Sequence, residues 1–177
     1  CAVFFGAPGE RVADPYFGGA GPERTGCTRC GSCTTGCAVG AKNSLVKNYL
    51  WFAERAGVRI EAGTEVVDLE PLSGSQGAQG YAVHCRSSTG WWRRTRTLRA
   101  RGVVVAAGAL GTNALLAHCR RAGGLPALSA CLGRNVRTNS ESVLAVTLPD
   151  DRLKPAHDVA ISASIHVSAD THIELVT

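Results

Sequence analysis

RGVVVAAGALGTNALLAHC, residues 101 to 119, changes its hydrophobic period halfway along. Gly102 to Ala107 is a short Val-rich apolar run, the composition of a strand buried on both faces. Thr112 to Cys119 spaces Leu115, Leu116 and Cys119 along one face of a helix. Gly108 and Gly111 lie between the two halves, where a backbone without Cβ turns tightly and lets a ligand come close. A strand ending in glycines and opening a helix aims free N–H groups above the sheet, where open α/β folds place nucleotides. An ordinary strand–helix connection remains the alternative, because the G-x-G-x-x-G fingerprint is absent from this stretch.

Working outward, the helix stops at Gly123-Gly124-Leu125-Pro126. Upstream, Gly80 to Ser87 and Trp91 to Ala100 form the arms of a hairpin turning near Ser88-Thr89-Gly90. The second arm, WWRRTRTLRARG, interleaves aromatic and basic residues. Nucleic-acid or anionic-surface binding is one reading of it. A half-exposed strand with Arg on its outward face is favoured, since no nucleic-acid-binding motif accompanies so short a run. Two short strands, Val58 to Ala62 and Glu65 to Leu69, precede the hairpin, with Pro71 closing the second. Before them, Ser44 caps a helix whose apolar stripe is Leu45, Tyr49, Phe52, Ala53 and Ala56, with Gly57 at its C-terminal turn. Residues 3 to 26 show neither period, and Phe4, Phe5, Tyr16 and Phe17 are expected to pin an irregular segment there. On the other side of the helix, Leu132 to Val143 reads as a polar loop entering a strand, Val143 to Leu148. His157, His166 and His172 follow, with Asp170 and Glu174 nearby, and read as solvated positions ahead of metal ligands.

Cys27, Cys30, Cys33 and Cys37 have the spacing C-x2-C-x2-C-x3-C, the ligand run of bacterial ferredoxins, with Gly31 and Gly36 easing the turns. A 4Fe-4S cluster is the metal that this spacing suggests. The usual Pro after the last Cys is replaced by Ala38. A zinc ribbon would separate its two knuckles by a longer insert. Free thiols or one disulfide are the plainer alternatives. With four of the eight cysteines packed into residues 27–37, a secreted disulfide scaffold is disfavoured.

The 177 residues suffice for a real core, and the abundant apolar residues with 21 Gly describe a globular, loop-rich chain. The net charge of +5 is modest, and much of it lies between Arg86 and Arg101. No apolar run approaches the roughly 20 residues of a membrane span, and no signal-peptide pattern opens the chain. The sequence contains no Met and ends in a strand-like pattern, so an internal piece of a longer protein is expected; a cytoplasmic setting is expected too, with export left open.

Several segments in fixed order carry a family likeness: FFGAPG, DPYFGG, GPERTGC, CGSCTTGCAVGAKNS, KNYLWFAERAGV, VVVAAGALGTNALL, LPALSACLGRNVRTN and ISASIHVSADTHIE. Together they strongly resemble the glucose–methanol–choline (GMC) flavoprotein oxidoreductases, in particular their bacterial cholesterol oxidase-like branch. The resemblance implies an α/β fold with α+β elements: a partial Rossmann-like FAD-binding domain with an inserted antiparallel β-meander, part of a larger GMC fold. It divides the chain into an irregular segment with the Cys cluster (1–43), part of the FAD-binding domain (44–142) and the first substrate-domain strands (143–177). It implies that Thr64 to Glu70 passes the adenosine, with backbone near Val67 meeting the adenine, and that Ala107, Gly108, Ala109 and Gly111 pack close to the dinucleotide. It further implies oxidation of a CH–OH group in a sterol or other bulky alcohol by hydride transfer to flavin, with O2 or another acceptor. Two departures accompany it. The family's phosphate loop does not occur, since Gly18-Gly19-Ala20-Gly21 lacks its spacing and a preceding strand. The family's catalytic His and Asn lie beyond Thr177, so no catalytic residue is expected here. An iron–sulfur electron-transfer module is the alternative that the cysteines alone would favour.

Overall fold

The computed structural model describes residues 2–139, 141–145 and 158–176. The chain forms two compact units, Cys1–Ile60 with Val146–Thr177, and Glu61–Ala145.

In the first unit the segment expected to be irregular contains a short antiparallel pair, β1 (Arg11–Val12) and β2 (Arg24–Thr25). Edge-to-face rings fasten the loop between them: Phe4 to Tyr16 at 6.2 Å, Tyr16 to Phe17 at 6.4 Å, and Phe17 to Phe52 at 4.9 Å. Phe5, expected to join them, is exposed instead. Asp14 shapes the same loop by accepting the backbone N–H groups of Tyr16, Phe17, Gly19 and Gly21. A small core of Val3, Cys27 and Ala41 is flanked by Cys33, Cys37, Val39 and Val159.

The helix expected from Ser44 is broken. A 3-10 turn occupies Leu45–Lys47, the backbone departs from helical geometry at Asn48 (φ −140°, ψ −102°), and α1 runs Tyr49–Arg55. Ser44 makes no side-chain cap, whereas the Asn48 side chain accepts the Tyr49 N–H. The break rotates the expected stripe out of phase. Phe52 stays half-buried against Phe17, while Leu45 and Tyr49 are exposed. Gly57, at φ +89°, supplies the left-handed turn after the helix. The unit ends in an antiparallel ribbon, β6 (Ile161–Ser168) with β7 (Thr171–Val176), pairing His166 with His172.

The second unit is built on a three-stranded antiparallel sheet, β3 (Thr64–Pro71), β4 (Tyr81–Ser87) and β5 (Thr95–Ala100), in the order β3-β4-β5. Register runs from Thr64 opposite Ser87 to Pro71 opposite Tyr81, then from Tyr81 opposite Ala100 to Arg86 opposite Thr95. The expected strand 58–62 does not form; it is pinched between left-handed glycines at 57 and 63 and finds no partner among the described strands. The second hairpin arm starts at Thr95, leaving Trp91 to Arg94 in the connecting loop. Cross-strand polar pairs tie the sheet. Arg86 holds Glu65 in a two-pronged ion pair at 2.8 and 3.0 Å, and His84 bridges Thr97 at 3.0 Å and Glu70 at 2.9 Å.

One face of this sheet packs against α2 (Gly108–Ala122) through Leu69, Val83, Cys85 and Cys119, flanked by Val103, Val105 and Leu115. The run 102–107, expected as a doubly buried strand, is not a strand. Val103 and Val105 turn toward the core, but Val104 between them is 92% exposed. A strand covered on both faces needs hydrogen-bonded neighbours on both sides, and no described strand pairs with this run. The helix after it is longer than expected and ends as its sequence indicates. Gly123 is left-handed (φ +83°), and the Gly124 N–H returns to the Cys119 carbonyl at 2.9 Å. A Cβ on Gly124 would stand 2.6 Å from the Leu69 carbonyl oxygen, so glycine there is what admits the helix end to β3.

The fold is thus mixed, with helices and antiparallel sheets; a parallel Rossmann sheet is not formed among the described residues. Of the strand expected at 143–148, residues 143–145 are not in strand, and 146–148 lie outside the described residues, as does His157. Among the described residues, no helix is long and apolar enough to cross a membrane.

Candidate cofactor site at the glycine turn

The turn from Ala107 to Thr112 is built by small residues and one hydroxyl. Ala107 sits at the helix N-cap position with φ −87° and ψ 23°, and no side chain caps the first turn of α2. Gly108 follows at φ +72°, a conformation that an L side chain adopts only under strain. Thr112, one turn on, reaches back so that its Oγ1 accepts the Ala107 N–H at 3.1 Å. Asn113 donates from Nδ2 to the Ala109 carbonyl at 2.7 Å. Thr112 and Asn113 fix the turn, and reading the sequence for glycines alone misses both. A Thr and an Asn one turn into a helix whose first turn holds no acidic residue is the signal that could have found them.

Ala106 to Gly111 are all exposed. A Cβ placed on Gly108 would meet nothing within 4 Å, whereas one on Gly111 would come within 3.2 Å of the Ala107 Cβ. Apart from Leu110, which is 78% exposed, the turn therefore offers an open surface of small residues at the first N–H groups of α2. Those N–H groups and the positive end of the helix dipole suit an anionic ligand such as a phosphate.

Val67 lies in the same unit, on the sheet strand against which α2 packs. Val66 pairs with Cys85 and Asp68 with His84, so Val67 is the extra residue of a bulge and has no partner across the ladder. β3 is also an edge strand. Its backbone at Val67 thus bends out of regular pairing, the kind of place where a main chain meets a ligand edge. These residues fit an FAD dinucleotide in three respects: small side chains at the turn, uncapped helix N–H groups, and a bulged edge strand.

The cysteine loop behaves otherwise. Among the described residues, no three His, Cys, Asp or Glu side chains converge as a metal would require. The ferredoxin spacing of Cys27, Cys30, Cys33 and Cys37 is therefore not matched by ferredoxin geometry. The Cys27 thiol turns into the small core and accepts the Arg29 N–H at 3.3 Å, with Arg29 itself left-handed at φ 55°. Cys30 is exposed, its thiol held below the usual range by the backbone and hydroxyl of Ser32. At Cys37, burial pushes the thiol upward, but the backbone N–H groups of Lys42, Ala41, Gly40 and Val39 outweigh it and bring it below the usual range. The Lys42 ammonium donates to the Cys33 carbonyl at 2.7 Å, so the loop is organised by its own main chain. On the terminal ribbon, His172 lies 3.5 Å from Glu174 and stacks on His166 at 5.3 Å, and no third donor joins them among the described residues.

Residues 21–139 match the model of a protein family described as GMC oxidoreductase, and the chain belongs to that family. The glycine turn and the Val67 bulge both lie inside the matched region. Within the family, the chain is 45% identical over 179 residues to a cholesterol oxidase of Acinetobacter baumannii, covering 98% of this chain and 32% of that protein. It is 50% identical over 182 residues to a cholesterol oxidase of Mycobacterium tuberculosis strain ATCC 25618 / H37Rv, covering 97% of this chain and 30% of that protein. The chain thus spans about a third of the length of the curated relatives it matches. No solved structure matches it significantly.

Proposed function

We propose that this chain supplies part of the FAD-holding region of an oxidoreductase that oxidises a CH–OH group of a sterol or another bulky alcohol. The observation that carries the reading is the exposed, uncapped turn at Gly108, set within a region that matches the GMC oxidoreductases. When bound, the flavin supplies hydride acceptance and passes reducing equivalents to O2 or another acceptor. The chain's own residues do the holding. Ala107, Gly108, Ala109 and Gly111 keep the approach free of side chains, Thr112 fixes the turn, and the α2 N–H groups draw the pyrophosphate. Bulged backbone at Val67 meets the adenine edge through main-chain donors and acceptors. The sterol is supported by the two relatives, both of them cholesterol oxidases. No catalytic proton transfer is assigned to a residue of this chain. Seven free thiols from Cys27 to Cys131 support a reducing, cytoplasmic setting.

The test uses the full-length protein. Gly108→Val forces a branched residue into a left-handed conformation and fills the open face. Ala109→Leu fills the same face with a good helix former and leaves the backbone unstrained. Both variants are expected to lose most bound flavin, read as the visible spectrum of purified protein and as flavin released by acid. Flavin retained at the wild-type level in a folded Ala109→Leu variant would overturn the placement.

A further inference from the structure

The hairpin loop 88–94 holds a feature that the cofactor site does not use. Trp91 and Trp92 are 96% and 87% exposed. A strand with Arg on its outward face would have explained WWRRTR, but the strand begins at Thr95, so both indoles stand on the connecting loop beyond the sheet. Arg93 and Arg94 follow immediately. An open groove of about 470 Å³ lies beside the loop, lined in part by Arg86, Ser87, Thr89, Arg94 and Arg96. Two of these arginines are already engaged, Arg86 with Glu65 and Arg96 with Glu61. No Asp or Glu occurs between Glu70 and Glu141, a stretch that contains ten arginines.

We infer that this loop docks on an anionic lipid surface, with Trp91 and Trp92 entering the headgroup region and Arg93 and Arg94 meeting the lipid phosphates. An amphipathic indole prefers the membrane–water interface, with its apolar body toward the acyl chains and its N–H toward water. Guanidiniums beside it add attraction to anionic headgroups. A single-stranded nucleic acid could also stack on exposed indoles. Such binders, however, set their aromatics along a groove that tracks the strand, whereas here two adjacent indoles share the tip of one narrow hairpin. Arg93 and Arg94 beside the indoles supply the charge complementarity, since the nearby Glu65 and Glu61 are taken up by Arg86 and Arg96, and the tip is small enough to enter an interface without unfolding the sheet.

The experiment takes the full-length protein and measures co-sedimentation with vesicles of phosphatidylcholine alone and of phosphatidylcholine mixed with phosphatidylserine. Hydrogen exchange of the peptide spanning 88–94 is followed in parallel. Wild-type protein is expected to sediment with the anionic vesicles and not the neutral ones, and segment 88–94 to gain protection. The W91S/W92S variant should bind more weakly by about tenfold or more. Loss of Arg93 and Arg94 in R93Q/R94Q should cost about fivefold for each charge removed. A W91F/W92F variant, keeping aromatic area, should retain much of the binding. The inference is overturned if both disruptive variants partition like wild type, or if protection on vesicles appears only outside 88–94. It is equally overturned if the loop is protected by an oligonucleotide, or by a second copy of the protein, and not by anionic vesicles. These readouts do not involve flavin, so they stand or fall apart from the cofactor assignment.

Discussion

Arg24 shows how a single residue organises the irregular part of this chain. It is fully buried, and its guanidinium donates to the carbonyls of Pro22 at 2.9 Å and of Lys47, and to the Asn43 side chain at 3.0 Å. Tyr16 lies beneath it at 5.6 Å, while its Nε has no hydrogen-bond partner among the described residues. The fork therefore ties β2 to the turn before α1 through main-chain acceptors. Replacing it takes the donor from those part-buried carbonyls, each at about 1–3 kcal/mol at most. Arg24→Met is expected to destabilise the protein by about 3 kcal/mol in urea unfolding, and Arg24→Lys to rescue little of it, because an ammonium lacks the planar fork. A loss below about 0.5 kcal/mol, the range of ordinary surface substitutions, would show that the fork is ornamental.

At the scale of elements, the two helices illustrate opposite ways of starting. α2 begins at an uncapped, exposed turn, which costs stability and leaves N–H groups available. α1 begins after a break, with Asn48 accepting the Tyr49 N–H and donating toward Asn43. Asn48→Ala removes that cap and should cost about 1 kcal/mol, measured by thermal or denaturant unfolding, whereas Ser44→Ala should cost little, since Ser44 caps nothing. The opposite ranking would restore the longer helix that the sequence suggests. The β3–β4–β5 sheet follows its alternation and its turn glycines closely, but its bulge does not come from either. Val67 is an ordinary strand residue in composition, and only the pairing of Val66 and Asp68 with consecutive residues of β4 exposes it as the extra one.

For the molecule as a whole, stability against alkali gathers at the core of the second unit. Burial, together with the nearby Asp68 carboxylate, pushes the Cys119 thiol up to about 11. An unfolded chain releases that proton near the ordinary thiol value of about 8.5, whereas the folded chain holds it. The stabilisation from a neutral Cys119 is therefore complete below about pH 8.5 and lost as pH rises toward about 11. Unfolding midpoints should fall across that window, and Cys119→Ala should flatten the fall. Cys119 should also resist alkylation at pH values where exposed Cys30 reacts. An alkaline profile unchanged by the substitution would remove Cys119 as its source.

How much was legible beforehand varied with the range of the forces involved. The sequence by itself determined what local chemistry decides: the glycine turn at 108, the end of α2, the hairpin at 81–100, and the family, whose motifs are strings of adjacent residues. Only the tertiary structure decided matters that depend on residues far apart in the chain. Whether 102–107 became a strand rested on neighbours to pair with, and the fate of the four cysteines rested on whether their loop pointed them at one centre. It instead turns Cys27 inward and Cys30 outward. The exposure of Trp91 and Trp92 was settled the same way, by where β5 finds its register on β4. A backbone turn is fixed by the torsions of its own residues, whereas ligation, pairing and burial are relations between segments, and spacing along the chain does not measure distance in space.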